Sequence, residues 1–144
     1  MKELLTEILT ELKPQLDAEY AGWAVFGSAA LALNGMEDMA VHDIDIVVPA
    51  AKIRRSNGLD ESHFRCRERR RFSLRGMEVD ISIGLEVRLG NRWMRVVPRE
   101  ICISDGIRYA TLKECLRLLR LFGRPKDLEK IPHIEAFIST CGTR

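Results

Sequence analysis

Two aspartates separated by one residue, Asp43 and Asp45, have the types and spacing to bind a cation. Asp43 precedes Ile44–Val48, a largely β-branched run that is apolar except for Asp45 and that Pro49 ends. Because side chains alternate between the faces of a strand, both carboxylates are expected on one face and the isoleucines on the other. Two neighbouring carboxylates repel each other unless a cation neutralises them. Their oxygen ligands favour Mg²⁺, which proteins hold through one or two carboxylates together with waters and substrate phosphates.

A second apolar strand offers a third carboxylate. In Met77–Ile83 the aliphatic residues alternate with polar ones, so Asp80 is expected on the polar face. If this strand pairs beside Ile44–Val48, Asp80 completes a cluster of three acids. Three carboxylates can hold two metal ions roughly 3.5–4 Å apart, an arrangement that serves phosphoryl and nucleotidyl transfer.

Gly27 and Ser28 interrupt the apolar strand predicted at Trp23–Phe26 and open a short helix over Ala29–Leu33. A glycine at a helix N-terminus allows close backbone approach, and the free N–H groups there can bind a phosphate. Each feature alone has an ordinary structural explanation: a turn, two solvated acids, or a polar residue on a strand. The order of strand, Gly-Ser, helix, paired aspartates and later aspartate is what makes the combination specific.

The remaining pattern predicts an α+β fold, a mixed β-sheet flanked by helices. Leucines at helical spacing predict a helix over residues 2–19, which Pro14 is expected to kink or shorten. Short helices are also expected at Ala50–Arg55 and after Pro125, with Pro132 interrupting the latter. The other predicted elements are strands at 64–69, 72–74, 93–97 and 101–103 and a helix over 112–122 that Gly123 ends. With no repeat or linker, residues 1–144 are interpreted as one domain.

Composition excludes several classes of protein. With 144 residues, 46% of them hydrophobic and 31% charged, the chain can bury a core and is not disordered. It contains no apolar run of 18 residues, so no membrane span is expected. The N-terminus has no signal-peptide pattern, and the four cysteines form no CxxC pair. Together these features predict a cytoplasmic protein with reduced thiols.

Charge is divided unevenly along the chain. Residues 1–50 hold two lysines and nine acids, whereas the remainder holds 21 basic and 12 acidic residues. This division suits a site with cations on one side and an anion on the other, but it also suits arginines alternating on solvated strand faces. Arg69 and Arg71 share a face, either to meet a nucleic-acid backbone or pyrophosphate, or to guard an edge strand. Whether the basic stretch Lys52–Arg75 faces the site is open.

The ordered set Phe26-Gly27-Ser28, Asp43-Ile44-Asp45-Ile46 and Asp80 resembles the signature of the DNA polymerase β-type nucleotidyltransferases. The nearest branch by resemblance is that of small bacterial nucleotidyltransferase-like proteins related to the AbiEii-type toxins. Like those proteins, this chain has a small residue and a closing glycine in Ala30–Gly35, then Lys113, then Arg124–Asp127. The resemblance extends from about Trp23 to Ile131.

The resemblance implies a nucleotidyltransferase fold, two Mg²⁺ ions (or Mn²⁺ in their place), and transfer of a nucleotide from an NTP, ATP first, to an acceptor hydroxyl. It implies Asp43, Asp45 and Asp80 as catalytic metal ligands, with Asp80 helping to deprotonate the acceptor. Gly27 and Ser28 would bind the triphosphate, and Lys113 would approach the phosphates or the base. The acceptor would be an RNA end, a protein side chain or a small molecule, and a toxin role would follow from some of these.

Two features keep a second hypothesis open. Many relatives have an Arg and a Thr before the paired aspartates, where this chain has Met39–His42. The length also leaves little room for the helical domain that usually binds the acceptor. The chain is therefore interpreted either as a minimal catalytic module, with an antitoxin or other partner subunit as a candidate partner, or as a non-catalytic nucleotide- or nucleic-acid-binding module. Convergence of Asp80 with Asp43 and Asp45 would favour catalysis.

Overall fold

The structure, a computed structural model, describes residues 1–50 and 63–141. These residues form four helices and nine strands in two sheets. The helices are α1 (Lys2–Glu19), α2 (Gly27–Leu33), α3 (Leu112–Phe122) and α4 (Pro125–Thr140). The strands are β1 (Ala24–Phe26), β2 (Asp43–Val48), β3 (Phe64–Arg65), β4 (Glu68–Leu74), β5 (Met77–Ile83), β6 (Glu86–Leu89), β7 (Arg92–Arg95), β8 (Ile101–Ser104) and β9 (Ile107–Ala110). This is the predicted α+β class, a mixed sheet flanked by helices.

The larger sheet has six strands in the order β4-β5-β2-β1-β9-β8. β2 is parallel to β5 and β1 is parallel to β9, while the other neighbours are antiparallel. β1 and β2 lie in the middle, and every residue of β1 is buried. Because central strands are covered on both faces, they are apolar except where a side chain serves a site.

The core lies against the isoleucine face of β2. Ile44 and Ile46 are fully buried, and the leucines and isoleucine of α1 that recur at helical spacing are buried in the same cluster. Contrary to the sequence-based expectation, Pro14 does not end α1, which continues to Glu19. Burial of Leu12 and Leu16 on either side of Pro14 stabilises the turn that lacks one backbone hydrogen bond.

The C-terminal helices form a pair. α3 is capped at its N-terminus by Thr111, whose side chain accepts a hydrogen bond from the Glu114 N–H, and at its C-terminus by Gly123 with φ of +65°. The predicted interruption at Pro132 is wrong, because α4 runs unbroken from Pro125 to Thr140. Ile134, two residues further on, is fully buried and anchors the second half of α4.

A smaller sheet, in the order β3-β6-β7, accounts for the largest departures from prediction. The predicted strand at 64–69 is divided, since β3 joins the small sheet and β4 joins the edge of the large one. β6 and β9 were not predicted: four-residue strands carrying charges such as Glu86 and Arg108 show little alternation. Most of the helix expected at Ala50–Arg55, and residues 52–62 of the basic stretch, lie outside the described residues.

No helix within the described ranges combines the length and the apolar character that crossing a membrane requires.

Candidate functional site

The strand register places the three aspartates on one face of the large sheet. Asp45 lies opposite Asp80 of β5 and opposite Phe26 of β1, and Asp43 lies opposite Glu78. Residues paired directly across neighbouring strands project to the same face, so these carboxylates share the face that the core does not occupy. The structure thus places Asp43, Asp45 and Asp80 on one face, the arrangement expected if the strand of Asp80 pairs beside Ile44–Val48.

Gly27 lies directly against this acidic face. Its φ is +71°, and a Cβ atom built on it would be 3.2 Å from Oδ2 of Asp45. Glycine adopts that conformation without strain, and it leaves the carboxylate room that a side chain would take. α2 begins at Gly27, and Gly27 and Ser28 are both half-buried. The predicted phosphate-binding residues are therefore adjacent to the predicted metal-binding residues.

The Asp45 carboxyl is the most perturbed acid of the site. Burial, followed by repulsion from Asp43 and Asp80, raises its pKa to about 7, and the positive charges of Arg69 and Lys130 oppose that rise. A carboxyl in this setting resists ionisation unless a further cation approaches. The electrostatics of the acidic face therefore favour binding of a cation at Asp45.

Asp80 already has a cationic partner. The Arg69 guanidinium donates Nε to Oδ1 at 2.9 Å and Nη2 to Oδ2 at 2.5 Å. Arg71 contacts Glu78 and lies 3.8 Å from Oδ2 of Asp80. Sequence reasoning predicted that the two arginines share a face, and β4 is an edge strand. The pattern did not indicate that their face is the one that carries the aspartates.

Lys130 is a candidate residue that sequence reasoning missed. It lines a narrow cleft with Gly27 and Ser28, whose walls are otherwise largely apolar side chains of β1, α2 and α3. Its charge also acts on Asp45. No motif marked Lys130, because it reaches the site only through the packing of α4 against the rest of the fold.

Lys113, the lysine chosen from the sequence, lies elsewhere. Its side chain is 85% exposed, and its Nζ is 3.8 Å from a carboxylate oxygen of Glu100. It does not line the cleft beside Gly27. The structure therefore does not bring Lys113 to the aspartates.

Asp127, the last residue of the Arg124–Asp127 element noted in the family resemblance, is 2% exposed and caps α4. It accepts hydrogen bonds from the backbone N–H of Arg124 at 3.2 Å and from Nε of the same side chain at 2.6 Å. These contacts identify Arg124 and Asp127 as a structural pair.

A wider, open cleft lies at the opposite end of β2. It is lined by Tyr20, Pro49, Arg67 and Arg70, among others, and by none of the three aspartates. The candidate site is therefore the narrower cleft and the acidic face beside it.

The donor set fits one hard divalent cation. Asp43 and Asp45 offer carboxylate oxygens on one face, and Gly27 leaves room beside Asp45. Proteins commonly bind Mg²⁺ through one or two carboxylates, with waters and substrate phosphates completing its coordination. Residues 1–50 and 63–141 contain no group of three or more Asp, Glu, His or Cys side chains arranged to bind a metal ion. Since both oxygens of Asp80 accept hydrogen bonds from Arg69, a three-carboxylate site is not formed in this conformation.

Comparisons with known proteins support the fold. The chain is similar to a crystal structure described as that of a "putative nucleotidyltransferase" from Thermotoga maritima, with a TM-score of 0.66 and 20% sequence identity. The similarity covers 97% of this chain and 96% of that chain. At this identity it shows a nucleotidyltransferase-like fold. Comparison with protein-family models finds no match, and comparison with curated proteins finds none. The finer relationship to AbiEii-type toxins stays a prediction.

Proposed function

We propose that this protein is a divalent-cation-dependent nucleotidyltransferase that transfers a nucleoside monophosphate from an NTP to an acceptor hydroxyl and releases pyrophosphate. The observation that carries the proposal is the placement of Asp43, Asp45 and Asp80 on one face beside Gly27. The similarity in fold to a protein described as a nucleotidyltransferase supports it.

Asp43 and Asp45 are the residues that would hold Mg²⁺, or Mn²⁺ in its place. When bound, the ion supplies positive charge that neutralises the phosphates and stabilises the oxygens of an in-line displacement. The paired carboxylates fix its position, and their mutual repulsion falls once it is bound.

Gly27, Ser28 and Lys130 would position the triphosphate. Gly27 lets the backbone approach the phosphates closely, and the hydroxyl of Ser28 can donate a hydrogen bond to a phosphate oxygen. Lys130 lines the same cleft and carries a compact positive charge suited to a phosphate. Lys113 is the alternative lysine, suggested by the family resemblance alone.

In the proposed reaction the acceptor oxygen forms a bond to the α-phosphorus. The bond from that phosphorus to the oxygen bridging the α- and β-phosphates breaks, and pyrophosphate leaves with the electron pair. The hydroxyl proton passes to solvent. Holding the two reactants in line supplies much of the acceleration in reactions of this kind.

The acceptor is proposed only as a hydroxyl, on an RNA end, a protein side chain or a small molecule. ATP is the first NTP to test. A toxin role, an antitoxin or other partner subunit, and a cytoplasmic location are expectations that rest on the resemblance and the composition.

A second candidate function is a non-catalytic nucleotide-binding module of the same fold. The observation that favours it is the ion pair of Asp80 with Arg69, which occupies the oxygens of the third carboxylate. A module of this kind would bind NTP without forming pyrophosphate.

Calorimetric titration with an ATP analogue that cannot be cleaved between the α- and β-phosphates tests the proposal. The wild-type protein should bind the analogue in the presence of Mg²⁺, and the Asp43→Asn/Asp45→Asn protein should lose at least about 90% of that affinity. Asp105→Asn is the matched control, because Asp105 lies in the turn between β8 and β9 and asparagine tolerates its φ of +52°.

If none of the four NTPs binds to the protein, the proposal is contradicted. Release of labelled pyrophosphate from NTPs labelled at the γ-position, in the presence of candidate acceptors, distinguishes the enzyme from the binding module. The module would bind nucleotide and release none.

A further inference from the structure

In the ion pair between Arg69 and Asp80, the guanidinium places a permanent positive charge directly at the carboxylate. Arg69 donates to both oxygens of Asp80, with a third contact from Nε to Oδ2 at 3.2 Å. The Asp80 side chain is 7% exposed, whereas that of Arg69 is 51% exposed. The carboxylate is therefore enclosed by the sheet and by the guanidinium that lies over it.

The register explains why the guanidinium reaches this carboxylate. Asp80 lies between Asp45 on β2 and Arg71 on β4, and Arg69 lies two residues further along β4, opposite Ser82. Arg69 and Arg71 project to the acidic face from the edge of the sheet. Each side of Asp80 thus carries a different charge, a carboxylate on one side and two guanidinium groups on the other.

Asp43 and Asp45 differ from Asp80 in this respect. Within the described ranges neither of them forms an ion pair with an arginine or a lysine, whereas Asp80 is paired with Arg69. An arginine remains protonated at any pH that the fold experiences, so its charge at Asp80 is permanent. One divalent cation at Asp43 and Asp45, together with this guanidinium, balances the charge of the three carboxylates.

We propose that Arg69 takes the place of one of the two divalent cations expected for a three-aspartate site, so that the protein itself binds a single ion at Asp43 and Asp45. This inference rests on the proposed function and specifies its metal requirement. Arg69 acts as a positioning residue: it holds the Asp80 carboxylate and keeps a second divalent cation from it by like-charge repulsion.

Counting bound Mn²⁺ by electron paramagnetic resonance tests this proposal without any turnover. The count is made without nucleotide, because a triphosphate carries cations of its own. The wild-type protein should bind one Mn²⁺. Arg69→Gln, which removes the charge, should bind two, and Arg69→Lys, which keeps a charge, should bind one.

Arg70→Gln is the matched control. Arg70 lies on the same strand with a nearly identical exposed fraction, 53%, but it projects to the opposite face and pairs with Glu68. The Arg70→Gln protein should therefore bind one ion. Circular dichroism establishes that each variant is folded. Even if Arg69→Gln does not fold, a count of two on the wild-type protein or on Arg69→Lys would overturn the proposal.

The outcomes separate this inference from the proposed function. Two ions on the wild-type protein, or the same count for Arg69→Gln as for wild type, would overturn the role of Arg69 alone. No Mn²⁺ on any of the four folded proteins would overturn the metal site of the proposed function, and this inference with it.

Discussion

Asp45 and Asp80 lie directly opposite each other on two adjacent parallel strands, so that two carboxylates meet on one face of the central sheet. Burying acids side by side destabilises a fold, because each loses hydration and repels the other. The structure offsets the charge of Asp80 with Arg69, whereas the pKa of Asp45 rises to about 7. The acidic face is thus incompletely neutralised by the protein's own residues.

The pKa of Asp45 predicts that the metal-free protein becomes less stable as pH rises from about 4 to about 7. The unfolded chain releases this proton near pH 3.9 and the folded protein near 7, so the folded state binds more protons throughout that window. The free energy of unfolding should therefore fall, by at most about 4 kcal/mol from this group. Urea denaturation in the presence of a chelator at pH 5 and pH 8 measures the greater part of this fall.

Asp45→Asn should remove this pH dependence, since the amide carries no charge in either state. Asp105→Asn, in an exposed turn, should retain it. A wild-type protein equally stable at pH 5 and pH 8 would show that the Asp45 carboxyl ionises without penalty.

Sequence reasoning located the acidic face because two kinds of pattern coincide there. β2 and β5 are long enough to show alternation: β2 alternates two aspartates with buried isoleucines, and β5 alternates Glu78, Asp80 and Ser82 with aliphatic residues. Each of the two strands has an apolar face that must be buried, and pairing the strands side by side buries both faces against one core. Gly27 lies next to Asp45 because β1, which ends at Phe26, pairs with β2 so that Phe26 is opposite Asp45.

Other residues of the site depend on contacts that no local pattern encodes. Lys130 and Ser28 are about a hundred residues apart in sequence, and packing of α4 brings them to one cleft. Predicting the pairing of Arg69 with Asp80 would have required knowing that β4 adds to β5 on the side away from β2. Likewise α4 continues through Pro132 because tertiary packing outweighs the local preference.

Gly27→Ala is predicted to impair the acidic face as well as the fold. An alanine at a φ of +71° costs about 1–2 kcal/mol of stability, and its Cβ atom would press on the Asp45 carboxylate. The midpoint of thermal unfolding should fall. Mg²⁺ is expected to raise this midpoint in the wild-type protein, and the variant should lose that increase.

Gly76→Ala separates the two effects. Gly76 has a φ of +78°, and a Cβ atom there would contact nothing within 4 Å. Its substitution should cost a similar amount of stability yet leave the Mg²⁺-dependent increase intact. If both variants keep that increase, Gly27 serves only the turn.

Asp127→Ala is predicted to reduce stability and to leave nucleotide affinity unchanged within about twofold. The change removes the cap of α4 and the partner of the Arg124 guanidinium, a loss of about 1–3 kcal/mol. Glu129→Ala, at an exposed position of the same helix, should cost less than about 0.5 kcal/mol. Denaturant unfolding measures the first effect and calorimetry the second, and a loss of affinity in the folded variant would assign Asp127 to the binding site.

A comparison of the Lys130→Ala and Lys113→Ala variants decides which lysine contacts the nucleotide. Lys130 lines the cleft beside Gly27 and its charge reaches Asp45, whereas Lys113 is almost fully exposed and close to Glu100. A hydrogen bond to a charged phosphate contributes about 1.5–3 kcal/mol, so Lys130→Ala should weaken binding of the ATP analogue roughly 10- to 100-fold. Lys113→Ala should change it less than about twofold, because an exposed ion pair contributes little. The reverse order of effects would place the triphosphate at the start of α3 and would restore the assignment that the family resemblance implies.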